Sequence, residues 1–315
     1  MDILDIIKEK VKSIPEENSL GIKAVILHIE TAEKFLLRAK TENDENLFTD
    51  VIYRTNHAFE GILKEAYTTL ANKDASRETP NNIEKYLSTH NVFKARVLDL
   101  FTNYRTQWRN PSTHDYQLFF TEEEAFLAIV NVSAFVNIFL DQIIEKIKFD
   151  LEKAEVDTRE AEIKASLGNY ESLSLEEKIK QLLVTFSKSL SLSETEDMRL
   201  REIELSGLLS GFIAALDPSI KLEHEPILGN NRNLRPDILV SRGDEKIIVE
   251  LKGTTSVGRN IKMARDQILS YLVHSGINTG VIYFYIPQGS DVVVSEEAVG
   301  VNDQFKIIEI KPKVK

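Results

Sequence analysis

Pro236-Asp237-Ile238-Leu239-Val240-Ser241-Arg242-Gly243-Asp244-Glu245-Lys246-Ile247-Ile248-Val249-Glu250-Leu251-Lys252 is the stretch that decides how this chain reads. Two β-type runs, residues 237–240 and 247–251, flank Arg242-Gly243-Asp244-Glu245, a turn sequence that folds the second run back beside the first. Side chains alternate between the faces of a strand. Glu250 and Lys252 therefore share a face, Leu251 points away, and the hairpin returns both to the neighbourhood of Asp237. Ile247, Ile248, Val249 and Leu251 give the strand a buried character, and a buried carboxylate requires a partner. The plainer alternative, a cross-strand ion pair on a solvated face, fits those apolar neighbours less well.

Two carboxylates and an ammonium brought together suit a hard divalent cation. Mg²⁺ takes oxygen ligands, commonly one or two carboxylates plus the phosphate oxygens of a substrate. Such a cation polarises phosphorus and stabilises the leaving oxygen, while Lys252 orients the attacking water or helps to deprotonate it. The expected chemistry is hydrolysis of a phosphodiester with Mg²⁺ or Mn²⁺.

Outward from the hairpin, an amphipathic helix from Met198 (Ile203, Leu205, Leu208, Leu209, Phe212, Ile213, Leu216) ends near Asp217-Pro218. A β-type run follows at 220–227. After Lys252 the pattern predicts a helix at 261–274 and β-type runs at 281–286 and 305–310. That order is an α/β arrangement around a small mixed sheet. His224 and Glu225, at the end of the first run, read as structural.

The first half has a different grammar. Residues 20–40 carry Ile22, Val25, Ile26, Ile29, Phe35 and Leu36 near a 3.6-residue period, and 47–70 and 92–108 continue it. Thr79 and Pro80 mark a helix start. Asn110-Pro111 is expected to break the helix before it, because the residue preceding proline is pushed out of helical geometry. Thr121 and Glu124 form a capping box for a long helix reaching about Phe149. The apolar run 125–140 is too short for a bilayer and reads as a buried helix. The boundaries expected are 1–150 for a helical domain, 151–196 for a helical linker ending in a Ser-rich stretch, and 197–315 for the α/β domain.

With 315 residues, two domains are expected. The absence of cysteine excludes disulfides, thiolate metal sites and a cysteine nucleophile. A cytoplasmic protein fits best, since the first 20 residues show no secretory signal. No phosphate-binding glycine loop is present. The net charge of -11 seems to oppose nucleic acid. It is unevenly spread, however: residues 220–315 hold 13 Lys+Arg against 12 Asp+Glu, and residues 230–270 carry a local net +3. A basic neighbourhood around a few acids is what a phosphodiester and a cation need.

Over residues 198–311 the pattern Asp237, Glu250-Leu251-Lys252 resembles the PD-(D/E)XK, restriction-endonuclease-like nuclease superfamily. Gln267 and Tyr271, four apart on the following helix, resemble the glutamine–tyrosine motif of its RecB-type branch. The resemblance implies a metal-dependent nuclease with Asp237 and Glu250 as ligands and Lys252 at the water. Gln267 and Tyr271 would assist catalysis. The family often draws a further metal-site acid from the preceding helix, for which Glu204 is preferred to Glu202.

Arg109-Asn110-Pro111-Ser112-Thr113-His114 lies between the last two helices of the first half. Histidine suits general acid–base work near neutrality and arginine suits phosphate. On spacing alone, a helix-capping arginine and a turn histidine are the simpler account. Over residues 20–150, however, an all-helical half with Arg109, Asn110 and His114 resembles the HEPN superfamily. That resemblance implies a homodimer whose cleft cleaves RNA without metal, with Asn56 or Glu60 assisting. Trp108 reads as core packing. The combined expectation is an all-α HEPN-like bundle followed by an α/β nuclease domain with a central mixed sheet, acting on DNA or RNA. This pairing resembles prokaryotic antiviral effectors. The alternatives are a helical half that only senses or binds, and a chain that binds nucleic acid without cleaving it.

Overall fold

The computed structural model describes residues 2–90, 92–114, 119–190, 198–228, 234–253, 257–287 and 289–313. The side chains of 95, 96, 113, 114, 198, 199 and 257–260 are outside that description. The chain forms two compact units, Met1–Lys146 and Ile147–Lys315.

The first unit is helical: α1 (Ile3–Val11), α2 (Glu16–Glu42), α3 (Asn46–Ala71), α4 (Pro80–Thr89), α5 (Ala95–Tyr104), α6 (Asn110–His114) and the start of α7 (Glu122–Ser166). Thr79 caps α4 by accepting from Asn82 N–H, with Pro80 in the first turn. The capping box of α7 is formed as expected: Thr121 Oγ1 accepts from Glu124 N–H, and Glu124 accepts from Thr121 N–H at 2.8 Å. Phe59, Phe101, Tyr104, Phe135 and Phe139 are fully enclosed and make an aromatic core with Phe59 and Tyr104 rings 4.7 Å apart.

Pro111 does not break the helix. A π-helical turn, Arg105–Arg109, joins α5 to α6, with Asn110 N–H bonded to Arg105 carbonyl. A proline lacks a donor and its ring clashes with the carbonyl four residues back. Widening the preceding turn by one residue relieves both, so the chain stays helical through the proline. The last helix also does not stop near Phe149 but runs to Ser166. It is the one helix among the described residues long and apolar enough to cross a membrane by length and composition, and most of its apolar stretch is buried.

In the second unit α8 (Leu175–Ser189), α9 (Met198–Leu216) and α10 (Val257–Ser275) pack on a mixed sheet of β1 (Lys221–His224), β2 (Ile238–Arg242), β3 (Glu245–Lys252), β4 (Thr279–Phe284), β5 (Val292–Val299) and β6 (Phe305–Pro312), in the order β1-β2-β3-β4-β6-β5. The β2–β3 hairpin turns at Gly243, whose φ of 60° suits glycine. β3, β4 and β6 are parallel, and β5 is antiparallel at the edge. One sheet face (Ile247, Val249, Leu251, Val281, Tyr283, Ile308, Ile310) packs with α8 and α9. The other (Ile248, Ile282, Phe284, Ile307) packs with Ala264, Ile268, Tyr271 and Leu272 of α10.

Within the expected linker, Leu175, Ile179, Leu182, Leu183 and Phe186 of α8 are buried in the core against the sheet of the second unit, whereas 191–197 of the Ser-rich stretch lie outside the described residues. Strand β5 is an addition to the expected order. Its Ser295, Glu296 and Glu297 mask the β pattern, and charge on an edge strand discourages pairing with other chains.

Candidate functional site

The β2–β3 register pairs Ile238 with Val249, so Asp237, one residue earlier, lies level with Glu250. Asp237 Oδ2 accepts the backbone N–H of Leu251 at 2.7 Å. Glu250 shares the parity of Ile248 and lies on the α10 face, where only 2% of it is exposed. Its Oε1 accepts from Lys252 Nζ at 2.8 Å, whereas Oε2 is buried and has no hydrogen-bond partner. Lys252 Nζ also donates to Gln267 Oε1 at 3.2 Å. Gln267 Nε2 donates to the Tyr271 hydroxyl at 2.8 Å, and that hydroxyl donates to the Arg235 carbonyl at 3.2 Å. The structure thus brings together Asp237, Glu250, Lys252, Gln267 and Tyr271.

The electrostatics are those of a crowded acidic pair. Desolvation, then the charge of Glu250, pushes the Asp237 carboxyl well above the usual carboxylate range. Burial likewise raises Glu250, although Lys252 pulls it back in part. Burial works against the Lys252 ammonium, but the charge and hydrogen bond of Glu250, with the Asp237 charge, more than offset it and raise its value. Two carboxylates held this close, one with an orphaned buried oxygen, form an arrangement that a divalent cation would relieve.

Glu204 is not part of this group. It is completely buried and its Oε1 pairs with Lys148 Nζ at 3.0 Å. Glu202 is the acid of α9 near the site: its Oε1 accepts Gly253 N–H at 3.1 Å, and its charge acts on Asp237, Glu250 and Lys252. The preference for Glu204 is therefore replaced by Glu202. Two residues apart, the pair lie about 200° apart around a helix, and helix phase against the sheet decides between them. Arg201 NH1 donates to the Gly253 carbonyl at 3.0 Å, so adjacent residues of α9 hold both backbone groups of Gly253. Sequence reading passed over this clamp because nothing in the string Arg201-Glu202 signals it.

Among the described residues no group of three His, Asp or Glu side chains stands ready to hold a metal ion. Asp237 and Glu250 supply two oxygen donors, which matches Mg²⁺, an ion that keeps several water or phosphate ligands.

A parallel case lies two strands away. Glu309-Ile310-Lys311 of β6 repeats the Glu-x-Lys pattern, and Glu250 and Glu309 both register with Ile282 of β4. Glu309 accepts from Arg265 Nε and Lys311 Nζ, and from Ser295 Oγ at 3.3 Å. Burial would raise it, but the bonds from Lys311 and Arg265 hold it below the usual range. The second pair is a satisfied ion cluster.

His224 has both ring nitrogens near hydroxyls, Ser206 at 3.1 Å and Ser210 at 3.2 Å, in keeping with a structural residue.

In the first unit, Arg109 donates from Nε to Glu60 Oε1 at 3.4 Å and from NH1 to Asn110 Oδ1 at 3.1 Å. Asn56 Nδ2 donates to Ser112 Oγ at 2.7 Å, Ser112 donates to the Arg109 carbonyl at 3.0 Å, and Tyr104 donates to Asn56 Oδ1 at 3.1 Å. Asn56 and Glu60, one turn apart on α3, thus both meet the Arg109 segment. Buried Glu84 of α4 adds a carboxylate 3.7 Å from Arg105, and Trp108 is buried as expected. The backbone of His114 ends α6; its side chain lies outside the described residues.

Compared with known proteins, the chain matches no family model, no curated protein and no solved structure.

Proposed function

We propose that the second unit is a divalent-metal-dependent nuclease of the PD-(D/E)XK kind, hydrolysing phosphodiester bonds of DNA or RNA. The observation that carries this reading is the orphaned buried Oε2 of Glu250 beside Asp237, with Lys252 bonded to the other oxygen. Asp237 and Glu250 would hold Mg²⁺ or Mn²⁺, and Glu202, whose charge acts on both, would accept from a water bound to the ion. When bound, the ion lowers the pKa of its water and neutralises charge on the phosphate. Asp237 is fixed by the Leu251 N–H, so its second oxygen is presented in one direction. Lys252, kept charged by Glu250, offers an N–H to the phosphate. The local net +3 of residues 230–270 supports a polyanionic substrate. The test is cleavage of labelled single- and double-stranded DNA and RNA with and without Mg²⁺, with Asp237→Asn and Lys252→Met as controls.

A second reading concerns the first unit, which we propose is HEPN-like, forms a homodimer and cleaves RNA without metal through Arg109 and His114. The convergence of Asn56, Glu60 and Ser112 on the Arg109 segment favours it. In the alternative, this unit only senses or binds and controls the nuclease. A prokaryotic antiviral role is the biological setting proposed for the pair. RNA cleavage in EDTA, lost in His114→Ala, separates the two.

A further inference from the structure

Successive residues of a strand turn their backbone groups to opposite neighbours. At the end of β3 the Leu251 N–H meets Asp237 on the β2 side, and the Lys252 carbonyl accepts from the Tyr285 N–H at 2.7 Å on the β4 side. Gly253 comes next and lies beyond both ladders: β2 starts at Ile238, which pairs with Val249, and the β4 pairing ends at Lys252. Gly253 is buried, so its N–H and carbonyl need partners. Side chains of α9 stand in for a strand. Glu202 Oε1 accepts the N–H at 3.1 Å, and Arg201 NH1 donates to the carbonyl at 3.0 Å. The Arg201 guanidinium also lies over the Tyr285 ring, 5.1 Å from its centroid. These contacts close a ring through Lys252, Gly253, Arg201 and Tyr285, with the backbone of Lys252 inside it. Arg201 is the fourth residue of α9, where the helix dipole gives a cation no advantage, so its value lies in this contact.

We propose that Arg201 and Tyr285 are positioning residues, which fix the Gly253 peptide and through it the backbone that carries Lys252 and the bond that orients Glu202. This rests on the nuclease reading of the second unit. The clamp acts at a distance from the reacting atoms. Its effect comes through geometry: a reacting group misplaced by about 1 Å can cost about 100-fold in rate. Arginine suits the position because its planar group donates along an edge while its face stacks on a ring. Lysine keeps the donor and loses the plane. Phenylalanine at 285 keeps the face on which the guanidinium rests, and leucine does not.

The test compares Arg201→Leu, Arg201→Lys, Tyr285→Leu and Tyr285→Phe with the wild type, all as the full-length protein. Arg201→Leu is expected to lower kcat about tenfold with KM little changed, as for a displaced reacting group. Arg201→Lys recovers part of that loss. Tyr285→Leu falls in the same way, and Tyr285→Phe recovers most of the rate. The second readout is hydrogen exchange of the Gly253 backbone amide in metal-free protein. It is protected in the wild type and loses protection in Arg201→Leu, while the Val249 amide in mid-ladder keeps its own. Loss at both amides would mean that the strand itself has opened, and Arg201→Lys with the two Tyr285 variants then decides. Wild-type kcat in Arg201→Leu, a raised KM with kcat unchanged, equal rates in the two Tyr285 variants, or a Gly253 amide indifferent to Arg201 would overturn the proposal. If the wild type cleaves no substrate, the nuclease reading falls separately, and the Gly253 amide still decides the clamp.

Discussion

Asp237 Oδ2 accepts the N–H of Leu251 at 2.7 Å, so one carboxylate of the candidate site is anchored on the backbone between Glu250 and Lys252. This bond converts the hairpin into a rigid site: the acid of β2 is positioned by the strand that carries the other two groups. A divalent cation would relieve the repulsion between the two carboxylates held there.

The metal-free site should make stability depend on pH. Asp237 and Glu250 both sit above their unfolded values, near 4. Stability associated with such groups is fully present below the unfolded value and is lost as pH rises through the raised one. In EDTA, the melting temperature should fall between pH 5 and pH 8. Glu250→Gln should flatten that dependence and remove the stabilisation that Mg²⁺ gives at pH 8. An unchanged pH profile in the variant would contradict the assignment.

Glu202 and Glu204 should separate cleanly. Glu202→Gln is expected to lower Mg²⁺-dependent cleavage roughly 10- to 100-fold while leaving the fold intact. Glu204→Ala should instead destabilise, because it removes a completely buried carboxylate and its ion pair with Lys148, a cost of about 3 kcal/mol. Denaturant unfolding of both variants, alongside the cleavage assay, checks the division.

Gly211 marks the close crossing of α9 with α7. A Cβ there would lie 2.4 Å from the Phe149 carbonyl oxygen and 3.1 Å from the Glu152 side chain. Backbone cannot yield as a side-chain tip can, so Gly211→Ala should cost about 1–3 kcal/mol. A wild-type unfolding midpoint would show that the helices adjust freely.

Arg109→Lys should abolish the metal-independent RNA cleavage proposed for the first unit, since lysine cannot reproduce the forked bonds to Glu60 and Asn110. EDTA-resistant cleavage that survives this change would assign the activity elsewhere.

Much of the second unit was legible because its signals are local. Alternation placed Glu250 and Lys252 together, and the turn at Gly243 returned them to Asp237. What could not be read depended on three-dimensional context. Glu309-Ile310-Lys311 is the same string as Glu250-Leu251-Lys252 in pattern, and only Arg265, arriving from α10, makes one pair satisfied and leaves the other with an orphaned oxygen. Glu202 and Glu204 differ by helix phase, which sequence period fixes only loosely. The π turn before Pro111 was hidden for a related reason: a proline announces a conflict with the helix but not how the chain relieves it. Strand β5 escaped because its edge position lets it carry Glu296 and Glu297.

The central claim is that Asp237, Glu250 and Lys252 cut phosphodiesters with a divalent cation. The most direct measurement is cleavage of labelled DNA and RNA by purified wild type and Asp237→Asn, each with Mg²⁺ and with EDTA. The account predicts products only for wild type with Mg²⁺, with Asp237→Asn slower by roughly a hundredfold or more. Mg²⁺-dependent cleavage at equal rates by both proteins would contradict it, as would a folded wild type that cuts none of the substrates.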